Sequence, residues 1–284
     1  MKILFASDLH GHRNLYAELF AAASRKGARA VILGGDLLPH HGPFQDTVVE
    51  QEDFIASFLE SALEDFLKQR PDVQFYALLG NTDWRASCDA MARLAEKGLL
   101  KLLHGEFHAM GEGYRVLGYG HVPPTPYRMK DGERLDFPGD ELPAKVSTAC
   151  RSQGRKVVVV DPAGHYQGEK SIAEELDALP LPTGDHKLVV VIHSPPSDTG
   201  LDVLFDGTHV GSRAVRRFIE KHRPILALHG HIHEAPEMSG SWIEHLGPTV
   251  CINPGQSPQR LHGVLLDLDD FPGGFEHTVY GPAL

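Results

Sequence analysis

Apolar and polar positions follow two rhythms along the chain. Short apolar runs predict buried strands over residues 2–6 (KILFA), 30–33 (AVIL), 73–79 (VQFYALL), 155–160 (RKVVVV), 187–192 (KLVVVI) and 225–228 (ILAL). Between them, Leu15, Leu19, Phe20 and Ala23 fall at helical spacing and predict a helix over 13–26, stopped by Gly27. Phe54, Ile55, Phe58, Leu59, Leu63, Phe66 and Leu67 predict one long amphipathic helix over 47–69, closed by Pro71. Further helices are expected over about 86–96, 171–179 and 211–222. Residues 99–103, 106–110 and 114–119 are short and strand-like, and 249–252, 262–268 and 275–280 read as late strands. Residues 120–154 are rich in proline, glycine and charge and read as a surface excursion, within a longer insertion around 120–170.

Alternating β and α predicts a parallel or mixed sheet with helices on its faces. Late strands without helices predict a second, more antiparallel sheet. The expected fold is α/β, two packed sheets flanked by helices, in one domain over residues 1–284.

Composition narrows the function. The net charge of 27 − 38 = −11 disfavours long nucleic acids and anionic membranes as partners. It leaves a small phosphorylated substrate open, because bound cations reverse a local field. Three scattered cysteines, Cys88, Cys150 and Cys251, argue against a disulfide framework. The apolar run at the N-terminus is too short for a signal-peptide core, and no run approaches the ~20 apolar residues of a membrane span. A cytoplasmic protein is expected.

The residues just past each strand carry the chemistry. Strand 2–6 runs into Asp8-Leu9-His10-Gly11-His12, strand 30–33 into Gly34-Gly35-Asp36, and strand 73–79 into Gly80-Asn81-Thr82-Asp83. Strand 187–192 runs into His193, and strand 225–228 into His229-Gly230-His231-Ile232-His233. Ligands in open α/β sheets bind beyond the carboxyl ends of the strands, so these side chains are placed to converge on one rim. Two aspartates, one asparagine oxygen and four histidines form a mixed N/O set suited to Mn, Fe, Zn, Co or Ni, with manganese a natural choice. Seven ligands exceed one tetrahedral site and suit two metal ions sharing a carboxylate.

The series Asp8-x-His10, Gly35-Asp36, Gly80-Asn81, His193 and Gly230-His231-x-His233 resembles the calcineurin-like metallophosphoesterases, with motifs spanning residues 8 to 233. The resemblance implies a two-sheet α/β sandwich of four αββα layers with a dinuclear centre. It assigns Asp8, His10, Asp36 and His233 to one ion and Asp36, Asn81, His193 and His231 to the other, with Asp36 bridging. It also implies hydrolysis of a phosphate ester by a hydroxide held between the ions. Many members carry a histidine, a general acid, where this chain has Thr82. Members lacking it tend to look like phosphodiesterases, and the change favours good leaving groups. His12 is the substitute acid candidate, with His209 behind it. The run His193-Ser194-Pro195-Pro196 with Asp198 and Gly211-Ser212 resembles a subgroup that includes cyclic nucleotide hydrolases. Trp84, Tyr127 and Arg128 are candidate contacts for a substrate's organic part, and Asp83 a candidate for orienting a ligand. A phosphodiesterase is the reading taken; a phosphomonoesterase on the same site, or a non-catalytic scaffold of the same fold, are the alternatives.

Overall fold

A computed structural model describes residues 1–142, 148–182 and 186–283. The first half contains β1 (Lys2–Ala6), α1 (Arg13–Lys26), β2 (Ala30–Gly34), α2 (Thr47–Phe54), α3 (Glu60–Gln69), β3 (Gln74–Leu78), α4 (Cys88–Glu96), β4 (Lys101–Leu102), β5 (His108–Ala109) and β6 (Tyr114–Tyr119). The excursion adds β7 (Ala149–Gln153), β8 (Lys156–Val160), α5 (Pro162–Gln167) and α6 (Ile172–Asp177). Then come β9 (Lys187–Ile192), α7 (Arg213–His222), β10 (Leu226–Leu228) and α8 (Ala235–Ser239). The chain closes with β11 (Ile243–Leu246), β12 (Thr249–Ile252), β13 (Gly263–Asp267), β14 (Glu276–His277) and β15 (Gly281–Pro282).

The two sheets run β15-β14-β13-β1-β2-β3-β4 and β11-β12-β10-β9-β6-β5. Each has a parallel centre and antiparallel additions. β1, β2, β3 and β4 run parallel in the first sheet, and β13 joins β1 antiparallel with Phe5 opposite Val264. In the second, β12, β10, β9 and β6 run parallel. The late strands therefore do not form a sheet of their own. β13 to β15 extend the first sheet and β11 and β12 the second, because each finds an open backbone edge beside a buried strand.

Side-chain alternation assigns the layers. On β1, Leu4 and Ala6 face α1, α3 and α4, while Ile3 and Phe5 face the second sheet. On β9, Val189 and Val191 face the first sheet, while Leu188, Val190 and Ile192 pack under α6 and α7. The result is the expected order helix, sheet, sheet, helix. α1 ends where predicted, at Gly27, whose left-handed backbone (φ 69°) returns its N–H to the last turn. The predicted 47–69 helix is continuous but passes through a π-helical turn at Ile55–Leu59, which shifts the buried stripe between α2 and α3.

The excursion is less superficial than its composition predicts. Lys130, Asp131, Glu133, Arg134 and Asp136 are buried. Asp136 accepts from the Ser212 hydroxyl and the Arg213 amide at the start of α7. β7 has no counterpart in the apolar pattern; it pairs antiparallel with β8, and the hairpin covers Trp84, Met129 and Phe44.

His277 on β14 ties the end of the chain to the core. It is 1 % exposed, its Nε2 donates to Pro254 O (2.9 Å), and its Nδ1 accepts from the Val279 and Tyr280 amides (3.0 and 3.2 Å). Burial, with His262 and Arg260 adding repulsion, pushes its pKa down to about 4. The unfolded chain therefore takes up a proton below about pH 6.5 that the folded protein refuses until about pH 4. Stability should fall by about 3 kcal/mol across that window. Denaturant unfolding of wild type and His277→Asn at pH 7 and pH 4.5 checks this: the variant, which keeps the acceptor, should lose the part of the slope due to this residue.

Candidate metal centre

Every residue of the predicted seven sits just beyond a strand end. Asp8 and His10 follow β1, Asp36 follows β2, Asn81 follows β3, His193 follows β9, and His231 and His233 follow β10. The ligand-type atoms of Asp8, His10 and His233 lie within 4.8 Å of one another, and so do those of Asp36, His193 and His231. His193 Nε2 links the two groups, 3.4 Å from Asp36 Oδ1 and 3.8 Å from Asp8 Oδ1. His233 Nε2 is 3.4 Å from Asp8 Oδ1 and 3.2 Å from His10 Nε2.

The local backbone is shaped for this convergence. Asp8, His10, Asp36 and His231 all adopt left-handed φ, at 59°, 45°, 53° and 68°. Non-glycine residues avoid that region, at a cost of roughly 1–3 kcal/mol each, unless surrounding contacts enforce it. Here backbone bonds do so: Asp8 N donates to Gly35 O and His10 N to Asp36 O, both 2.9 Å. A Cβ on Gly80 would collide with the Asp36 carboxylate and lie 2.7 Å from His193 Nε2, so glycine is required for closeness.

Hydrogen bonds fix three of these side chains, His193, Asp36 and Asp8. His193 Nδ1 donates to Gly34 O (2.8 Å), which turns Nε2 toward the carboxylates. The Thr82 amide donates to Asp36 Oδ1 (2.8 Å), and the His231 amide to both Asp8 oxygens (3.1 Å). Asp83, the candidate for orienting a ligand, is buried. Its carboxylate accepts from the amides of Gly80, Leu37 and Leu38, joining the Asp36 and Asn81 turns. Burial and the neighbouring Asp36 push its pKa up to about 7. His229 is wholly buried and donates through Nδ1 to Ile192 O (2.8 Å).

Electrostatics set the demand for cations. Asp8 and Asp36 are 1 % and 2 % exposed. Among the described residues, imidazoles are the only basic side chains within 4.0 Å of either carboxylate. Burial raises both carboxyl pKa values, but His233 beside Asp8 and His193 beside Asp36 outweigh it and hold them low. Burial pushes His10 down to about 3 and His231 to about 4, leaving neutral imidazoles with lone pairs to offer. His193 and His233 go the other way: Asp36 and Asp8 overcome burial and hold His193 up at about 9, and Asp8 overcomes burial and raises His233. Asn81 Oδ1 and His193 Nε2 are buried without a hydrogen-bond partner among the described residues. The unpartnered Asn81 oxygen, and a His193 Nε2 that offers its lone pair once it gives up its proton, fit divalent cations in chemistry and position.

The calcineurin-like phosphoesterase family model matches residues 1–235. The chain belongs to that family. No curated protein matches it significantly. Among solved structures, one crystal structure aligns with a TM-score of 0.63 at 18% identity over 97% of this chain and 98% of that one. TT1561 of Thermus thermophilus aligns with a TM-score of 0.59 at 20% identity over 97% of both chains. A structure described as a novel archaeal phosphodiesterase aligns with a TM-score of 0.43 at 12% identity over 98% of both. The first two show the shared fold.

In this calcineurin-like phosphoesterase the centre forms the floor of a cleft of about 540 Å³. Thr82 is on that floor, its hydroxyl 3.4 Å from His10 Nδ1. His12 is not among the cleft-lining residues; it precedes α1 with its ring against His41 (centroids 4.8 Å). His40 does line the cleft, edge-on to His10 at 4.8 Å. Sequence reasoning does not single it out, although the adjacent pair His40-His41 is an available signal. His209 lies outside the cleft lining and pairs with Asp202 (2.7 Å). Trp84 is fully buried and donates to Thr47, so it packs the core, whereas Tyr127 and Arg128 line the cleft. The Asn253-Pro254-Gly255 turn is also buried, with Asn253 Nδ2 donating to Ile232 O behind the His231–His233 segment. Among the described residues no helix is long and apolar enough to cross a membrane.

Proposed function

We propose that the chain is a dinuclear-metal phosphodiesterase. Asp8, His10 and His233 would hold one ion, and Asn81, His193 and His231 the other, with Asp36 shared. Bound there, the ions supply charge neutralisation at the phosphoryl oxygens and acidify water. The unpartnered buried Asn81 Oδ1 and His193 Nε2 beside the two buried carboxylates carry this reading. The protein's own part is positioning: amides of Thr82 and His231 aim the carboxylates, and Gly34 O aims His193. All seven positions bear competent donors, which speaks against a scaffold role.

The diester preference rests on two features of the cleft. Thr82, engaged with His10, has no proton to give a poor leaving group at neutral pH. One guanidinium, Arg128, is the only lysine or arginine side chain in the described lining, which suits a monoanionic diester better than a dianionic monoester. Protein stripped of metal and reloaded with Mn²⁺ should hydrolyse bis-p-nitrophenyl phosphate faster than p-nitrophenyl phosphate. Asp36→Asn should lose about 10³-fold or more, together with bound metal. Faster monoester cleavage would move the reading to a phosphomonoesterase, and full activity in Asp36→Asn would remove the shared-ligand assignment.

For the leaving-group proton, placement favours His40, on the cleft wall, over His12 behind it. His40→Ala should slow an alkyl leaving group about 10²-fold while costing p-nitrophenolate much less. His12→Ala showing the larger selective loss would return the role to His12.

A further inference from the structure

The cleft has a second side that the metal chemistry does not use. Residues 123–129 (PPTPYRM) line it beside the ligands His10, His231 and His233. Tyr127 leaves 60 % of its surface exposed and lines the cleft together with Glu234 and Asp36. The Arg128 guanidinium lies over the Phe44 ring, 4.1 Å from its centroid.

This segment has no regular secondary structure, yet it is pinned from behind. Lys130 and Glu133 form an ion pair (2.9 Å) with both side chains wholly buried. Lys130 Nζ also donates to Thr125 O (2.9 Å), and Glu133 accepts from the Thr125 and Tyr166 hydroxyls, each 2.5 Å. The Thr125 hydroxyl oxygen in turn receives the Tyr127 amide (3.1 Å). A buried pair of this kind adds little stability over an apolar pair of the same size, but it fixes geometry. Three prolines, Pro123, Pro124 and Pro126, reduce the freedom of the segment further.

We propose that the 123–129 segment is a preorganised specificity wall, on which Tyr127 stacks a planar aromatic ester group of a phosphodiester while Arg128 attracts its single negative charge. The inference rests on the phosphodiesterase reading and adds the substrate class to it. An exposed tyrosine ring and proline rings offer flat apolar faces, which favour a planar aromatic group over a flexible alkyl one. The volume of about 540 Å³ suits a ligand of nucleotide size. A monoester has no second organic group to occupy this wall.

The test compares bis-p-nitrophenyl phosphate with methyl p-nitrophenyl phosphate on the full-length, Mn²⁺-loaded protein. Both release p-nitrophenolate, so their difference reports the group that stays behind. The kcat/KM ratio, aryl over methyl, should fall about tenfold in Tyr127→Ala, mainly through KM, and persist in Tyr127→Phe. Tyr127 is exposed, so its truncation does not endanger folding. Equal ratios in wild type and Tyr127→Ala would overturn the wall alone. Turnover of neither ester would overturn the phosphodiesterase reading, and the wall with it.

Discussion

Two carboxylates, Asp8 and Asp36, lie buried where the sheets meet, with no lysine or arginine beside them among the described residues. Burying such charges without firm compensation is costly, and the surrounding architecture answers that cost. Backbone amides of Thr82 and His231 bind them, imidazoles crowd them, and four of the converging residues hold left-handed backbone. Left-handed backbone and buried carboxylates concentrated in one place suit a binding site for divalent cations. Few purely structural roles explain both.

The two-sheet fold makes that concentration possible. β1, β2 and β3 deliver oxygen-rich turns from one sheet, and β9 and β10 deliver histidines from the other. Neither sheet holds both halves. The apolar layer of Ile3, Phe5, Val189, Val191 and Leu228 between the sheets sets the relative position of the two ligand sets. Asp83 adds a local lock by joining the turns after β2 and β3.

Much of this is legible in the sequence because buried parallel strands read as apolar runs, and their ends can be located to within a residue or two. β1, β9 and the Gly27 stop of α1 are examples. The polar interior of the excursion is not legible. Lys130, Glu133 and Asp136 look like surface residues until their partners, Thr125, Tyr166 and Ser212, are in place. β7 (ACRSQ) lacks an apolar pattern and exists through its pairing with β8. His40 is hidden for a related reason: it follows no strand directly, and only the path from Asp36 to Pro39 brings it to the cleft.

The rim where these strands end is proposed to hold two cations. Anomalous diffraction from Mn²⁺-soaked crystals measures this directly. Two peaks about 3.5–4 Å apart, with the Asp36 carboxylate between them, are the predicted result. A single peak, or peaks away from Asp36, would contradict the account.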